Sequence, residues 1–186
     1  TMAVDVSISN DNKHLAIAEV NPSGTVIQSN IRIISIEKAK TDPANSEEKN
    51  YTSEANRLVT NVNYQNKNKL ICMYTDGITM IENDAETTLF ENKDKKITLE
   101  SIELNNNVVT VEEKSSGIFS ADSVVNIVNI ENKSTKEYTV NTVIKELNTG
   151  GWLVKRYIAN QEITNITVGN NIAGIIYRDK VEIVNL

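Results

Sequence analysis

The side chains able to do chemistry are few and scattered. His14 is the single histidine and Cys72 the single cysteine. A Ser-His-Asp site therefore has one available base, and a histidine-based zinc site lacks its usual ligand set. His14 stands beside a turn at the start of a strand-like run, where surface or turn packing accounts for it. Cys72 lies inside the apolar run Leu70-Ile71-Cys72-Met73 and reads as a buried, inert thiol. One cysteine excludes an internal disulfide framework and leaves the redox compartment open.

Carboxylates are the remaining route to catalysis. Asp11, Asp76, Asp122 and Asp179 all fall in expected turns, where an aspartate is favoured because it bonds neighbouring backbone amides. A glycosidase would hold two carboxylates about 5 to 10 Å apart, and nothing in the spacing selects such a pair. Asn10-Asp11-Asn12-Lys13 offers hard oxygen ligands but lacks the further acidic positions of a calcium loop. Glu47-Glu48 and Glu112-Glu113 read as solvated surface. Trp152 and Tyr157, beside Lys155-Arg156, have the makings of a sugar-stacking platform, against which stands ordinary core packing. No catalytic set, cofactor or metal site is assembled by this pattern.

The elements that must position these residues are short strands in a recurring cassette. Leu70 to Asn83 and Ala173 to Asn185 share one pattern: an apolar run, a tyrosine, one residue, an aspartate, one residue, then alternation to asparagine. Each copy follows another short strand and a turn rich in Asn, Gly or Lys, which makes a three-strand antiparallel meander. The first cassette runs Val4 to Ser9, Lys13 to Val20, a long loop Asn21 to Asn30, then Ile31 to Glu37. The second starts near Leu58 and contains the tight Asp76-Gly77 hairpin. The third spans Ile97 to Glu131 with a second long loop, Lys114 to Ser123, and the fourth runs Ile163 to Leu186. Lys49 to Ala55, Ala85 to Glu91 and Lys136 to Val143 supply outer fourth strands. A further hairpin is expected between Val143 to Leu147 and Trp152 to Ala159. In the polar insertion Ala39 to Lys49, Asp42-Pro43 suits one short helical turn or a surface loop.

The chain of 186 residues carries a net charge of -6, which opposes a nucleic-acid surface, since phosphate binding needs clustered Lys and Arg. No apolar run reaches the roughly 20 residues of a membrane span, and no signal-peptide pattern opens the sequence. About one residue in seven is asparagine, a residue whose tolerance of left-handed backbone suits tight turns. The sequons at Asn50, Asn132 and Asn165 are expected by chance at that frequency.

Ser9-Asn10-Asp11-Asn12-Lys13-His14-Leu15-Ala16 resembles the Ser-Pro-Asp-Gly-Lys-x-Leu-Ala turn of WD40-like and TolB-like β-propeller blades, and Val62 to Leu70 echoes it. Trp-Asp pairs and quinoprotein docking motifs are missing, so the likeness is to uncharacterised, Asn-rich bacterial propeller domains. It implies a cell-surface or extracellular location and an N-terminal membrane tether outside this chain. The expected fold is one all-β domain, a propeller or partial propeller of about four meander blades (4–55, 58–91, 97–143 and 144–186), with a β-sandwich as alternative. The expected function is a non-enzymatic binding or scaffold module presenting loops to a protein or glycan partner. The competing classes are a carboxylate-based polysaccharide hydrolase or lyase and a structural module that oligomerises through an unpaired edge strand. In a propeller, loops between second and third strands share a face. That places the binding residues at Asn21, Ser23, Thr25, Ser115, Ser116 and Asp122, with Asp76 and Asp179 between them and Trp152 nearby.

Overall fold

The structure, a computed structural model, describes residues 1–22, 26–92, 97–102, 107–117, 120–140, 144–147, 156–159, 163–169 and 172–185. The fold is all-β, and every described strand pairing is antiparallel. The chain divides into two compact units, Thr1–Lys96 and Ile97–Leu186.

The first unit holds two four-stranded meanders. One has β1 (Met2–Ile8), β2 (His14–Asn21), β3 (Gln28–Ser35) and β4 (Glu47–Thr52) in chain order. The other has β5 (Val59–Asn66), β6 (Lys69–Tyr74), β7 (Gly77–Glu82) and β8 (Ala85–Glu91). Alternate residues of facing strands, Ala16, Ala18, Ile31 and Ile33 from the first sheet and Val62, Tyr64, Leu70 and Cys72 from the second, form one core. The period-2 pattern puts these side chains on one face of each sheet. Tyr74 belongs to the same core. Cys72 is fully buried in this core, and burial pushes its thiol pKa up, as expected of an inert cysteine.

The second unit repeats the design. A third meander contains β9 (Ile97–Ile102), β10 (Asn107–Gly117), β11 (Ser120–Asn129) and β12 (Ser134–Val140). A hairpin of β13 (Ile144–Leu147) and β14 (Arg156–Ala159) follows, then a three-stranded sheet of β15 (Ile163–Val168), β16 (Ile172–Tyr177) and β17 (Val181–Asn185). Val109, Val125 and Ile127 pack with Ile166, Ala173, Ile175 and Tyr177. The Asn185 carbonyl accepts from Tyr138 Oη at 2.5 Å and Lys136 Nζ at 3.1 Å, which ties β17 to β12.

Three expected local features differ. The stretch Lys114 to Ser123 is no loop: β10 and β11 stay paired through Lys114↔Asp122 to Gly117↔Ser120. The backbone pairing there continues through a polar sequence. The β6–β7 turn consists of Thr75 and Asp76, while Gly77 already pairs with Tyr74. The hairpin with two left-handed residues is instead Asn83-Asp84, at φ 49° and 69°, between Glu82 and Ala85, the backbone that a two-residue hairpin of matching twist requires. Finally, the strand expected to reach Glu37 ends at Ser35, whose hydroxyl caps the short helix α1 (Ile36–Thr41). The expected Asp42-Pro43 turn follows as a 3-10 turn over Pro43–Asn45.

Asparagine fills turns as its chemistry allows. Three of the five non-glycine residues with positive φ among the described residues are Asn12, Asn56 and Asn83. Asn66, Asn129 and Asn132 accept amides two or three residues ahead.

Gly77 is required for close approach rather than for flexibility, because a Cβ there would run into the Phe90 carbonyl of the neighbouring strand. Gly77→Ala is expected to lower stability by about 1–3 kcal/mol, read as a drop in the urea unfolding midpoint. An unchanged midpoint would show that β8 moves aside freely.

Candidate functional site

A cleft of about 310 Å³ opens between the two sheets of the first unit. Its floor is apolar, made by Ile33, Leu70 and Ile81 with the rings of Tyr51 and Tyr64. The rim is polar and comes from four separate places in the chain: His14 at the start of β2, Glu48 and Lys49 on β4, Lys67 and Asn68 in the β5–β6 turn, and Asn83 and Asp84 in the β7–β8 turn.

Most rim charges are paired. His14 Nε2 lies 3.2 Å from Glu48 Oε2, and Lys38 Nζ lies 2.9 Å from Glu48 Oε1. The hydrogen bond from Lys38, opposed by partial desolvation and helped by His14, holds the Glu48 carboxyl below its ordinary range. Lys49 pairs with Asp84, which also accepts from Tyr51 Oη at 3.4 Å. The Lys49 hydrogen bond keeps the Asp84 pKa low. Lys67 is exposed and has no ion-pair partner among the described residues.

Tyr64 is the least expected member. Its ring is largely buried, at 9% exposure for the whole residue, and it lines the cleft. Asn68 Nδ2 donates to Asn83 Oδ1 at 3.2 Å, which leaves Asn68 Oδ1 and Asn83 Nδ2 as an acceptor and a donor side by side.

The residues singled out from sequence lie elsewhere. Asp76 occupies the β6–β7 turn, at the opposite end of its sheet from the cleft turns, and is structurally committed. Arg57 Nε donates to Asp76 Oδ1 at 2.7 Å, Arg57 Nη2 reaches Thr79 Oγ1 at 3.1 Å, and the guanidinium lies 3.9 Å from the Tyr74 ring centroid. Asn21 ends β2 opposite Gln28. Asp179 is exposed in the β16–β17 turn. Ser115, Ser116 and Asp122 lie within β10 and β11, not in a loop. Ser23, Thr25 and Trp152 fall outside the described residues. Asp76 and Asp179, expected on one face, belong to separate compact units. His14, read as turn packing, and Glu48, read as solvated surface, meet at the cleft instead. Among the described residues, no group of three or more His, Cys, Asp or Glu is placed to hold a metal ion. No described helix is long and apolar enough to cross a membrane.

No protein-family model matches the chain, and no curated protein matches it.

Two predictions follow from the environments of these groups. Because Asp76 and Arg57 are only 16% and 19% exposed, Asp76→Asn removes a charge-assisted bond from a sheltered site. It is expected to cost about 1–3 kcal/mol, measured by urea unfolding; a midpoint equal to wild type would make Asp76 dispensable to the fold. Burial pushes both Tyr51 and Tyr64 up to about 12 from 10.0. The folded state therefore holds phenol protons that the unfolded chain releases. Stability from this source is complete below about pH 10 and falls as pH rises from there through about 12. Burial also raises Tyr74 and Tyr177, so tyrosinate absorbance should show four late-titrating groups among the described residues, and Tyr64→Phe should remove one of them.

Proposed function

We propose that this chain is a non-enzymatic binding module built from propeller-type blades, and that a glycan occupies the cleft of the first unit. The observation that carries the reading is the make-up of the cleft, an apolar floor with the Tyr51 and Tyr64 rings beneath a rim of amide and charged groups. Apolar tyrosine faces below and amide groups above suit a sugar ring, which has an apolar C–H face and a polar perimeter. Three consecutive four-stranded meanders, each in simple chain order, support the blade reading. A cell-surface location belongs to the same proposal and is supported by the blade-turn resemblance. The hydrolase alternative is supported less, because Asp76 is held by Arg57 and Asp11 by Ser9 and Lys13.

The test is a thermal-shift and calorimetric screen against short oligosaccharides. At about 100 times its dissociation constant a cleft ligand should stabilise the fold by about 2.7 kcal/mol. Asn68→Ala, an exposed turn substitution, should weaken binding and leave the unfolding midpoint in place. A flat screen, with no backbone amide perturbed near Tyr51 or Tyr64, would reject the cleft as a glycan site.

A protein partner is the second reading, favoured by one observation. Val6 and Ile8 of β1 are exposed side by side on the outer face, opposite Ile17 and Leu15, and Met2 and Val4 are exposed nearby. A cluster of exposed apolar side chains of this kind marks an interaction surface. If a second copy covers it, the mass in solution should rise with concentration and revert in Val6→Asp. A strictly monomeric mass at high concentration would remove self-association from this reading.

A further inference from the structure

We propose that the cleft selects an acidic saccharide, with the ring of a hexuronate unit over Tyr51 and Tyr64 and its carboxylate on Lys67. The proposal rests on the reading of the cleft as a glycan site and names the class of glycan.

The two lining carboxylates are both committed, Glu48 to His14 and Lys38 and Asp84 to Lys49 and Tyr51. Lys49 is committed in return. Lys67 is the lining lysine that no carboxylate neutralises among the described residues. A negatively charged group entering the cleft therefore meets a free ammonium without first displacing a protein carboxylate. A cation entering would have to compete with lysines for Glu48 or Asp84.

The remaining open valences fit the rest of a sugar. Asn68 Oδ1 accepts and Asn83 Nδ2 donates, a pairing that matches two neighbouring hydroxyls, each of which can both give and take a hydrogen bond. The Tyr64 hydroxyl can bond a ring substituent directed to the floor. Ile33, Leu70 and Ile81 offer nothing polar, so the buried side of the ligand must be a C–H face. At about 310 Å³ the cleft is at the small end of ligand sites, which fits one or two sugar rings and not a long chain segment.

The experiment compares digalacturonate with neutral digalactose by titration calorimetry at low salt, using the whole chain, wild type, Lys67→Met and Tyr64→Phe. Lys67 is an exposed turn residue, so its replacement should leave the unfolding midpoint unchanged. The acidic disaccharide should bind about tenfold more tightly than the neutral one, the size of one charge-assisted bond. Lys67→Met should erase that preference and leave neutral binding as it was, and Tyr64→Phe should weaken both sugars. Equal or stronger binding of the neutral sugar would overturn the acidic class while the glycan cleft stands. An acidic preference that survives Lys67→Met would overturn the assignment of Lys67. No binding of either sugar, with the amides around the cleft unperturbed, would overturn both this proposal and the reading beneath it.

Discussion

The first unit depends on how the outer edge of β5 is satisfied. β5 pairs with β6 on one side, and its other side would present buried, unpaired amides. Side chains of the first sheet take the place of a strand. Asp5 Oδ2 accepts from Val62 N at 2.9 Å, Ser7 Oγ accepts from Tyr64 N at 2.9 Å, and Ser29 Oγ accepts from Val59 N at 2.8 Å. Each buried amide left without such a partner would cost about 1–3 kcal/mol. The two-residue step from Asp5 to Ser7 matches that from Val62 to Tyr64, so the contact sets register as well as proximity. Ser29 goes further: it also donates to the Arg57 carbonyl at 2.9 Å, and its backbone exchanges bonds with Ser53. The chain between β4 and β5 is thereby fastened before the second sheet begins, and the cleft walls inherit their spacing from this fastening.

This arrangement explains the odd composition of β1. A strand whose even positions are Met2, Val4, Val6 and Ile8 looks, from sequence, like one that buries its apolar face. Asp5 and Ser7 face inward instead, opposite Ala18 and Ala16, because they can accept an amide, and an irregularity between Ala3 and Asp5 puts Met2 opposite Val20. The apolar face is left exposed. Hydrophobic alternation alone reads such a strand the wrong way round, since the hydrogen-bond demand of the neighbouring edge overrides it.

Much of the fold was legible because the strands of the first unit are short apolar runs or alternations and because asparagine-rich punctuation falls where turns do. The meanders, the outer strands Glu47–Thr52 and Ala85–Glu91 and the extra hairpin of β13 and β14 all follow from that punctuation. Where polarity was taken to mean loop, at Lys114 to Ser123, the backbone ladder continued. Helix α1 was missed because six residues carry too little periodicity; its signal was the capping hydroxyl of Ser35. The cleft was not legible at all. His14, Glu48, Tyr51, Tyr64, Lys67 and Asp84 share no local motif, and only the cross-sheet packing of β1 and β2 on β5 gathers them. Attention to loops between second and third strands pointed to Asp76, at the far end of the sheet from the cleft turns.

Ion pairing serves two different ends in this unit, and burial decides which. Arg57 and Asp76 are sheltered, hydrogen-bonded and backed by the Tyr74 ring. Losing either partner would strand a charge in a poorly solvated place, so that pair holds structure. The cleft pairs are different: Lys38 is 58% exposed and Asp84 65%, and exposed pairs of this kind contribute about 0–1 kcal/mol at most. Their loss would cost the fold little, since Ala16, Ile31, Leu70 and Cys72 below them supply the burial that stabilises it. A rim that contributes so little to stability can change its charges without unfolding the protein. The charges at the cleft rim therefore sit on a few exchangeable side chains in turns and on β2 and β4, while the sheets that carry them are fixed by the amides of β5.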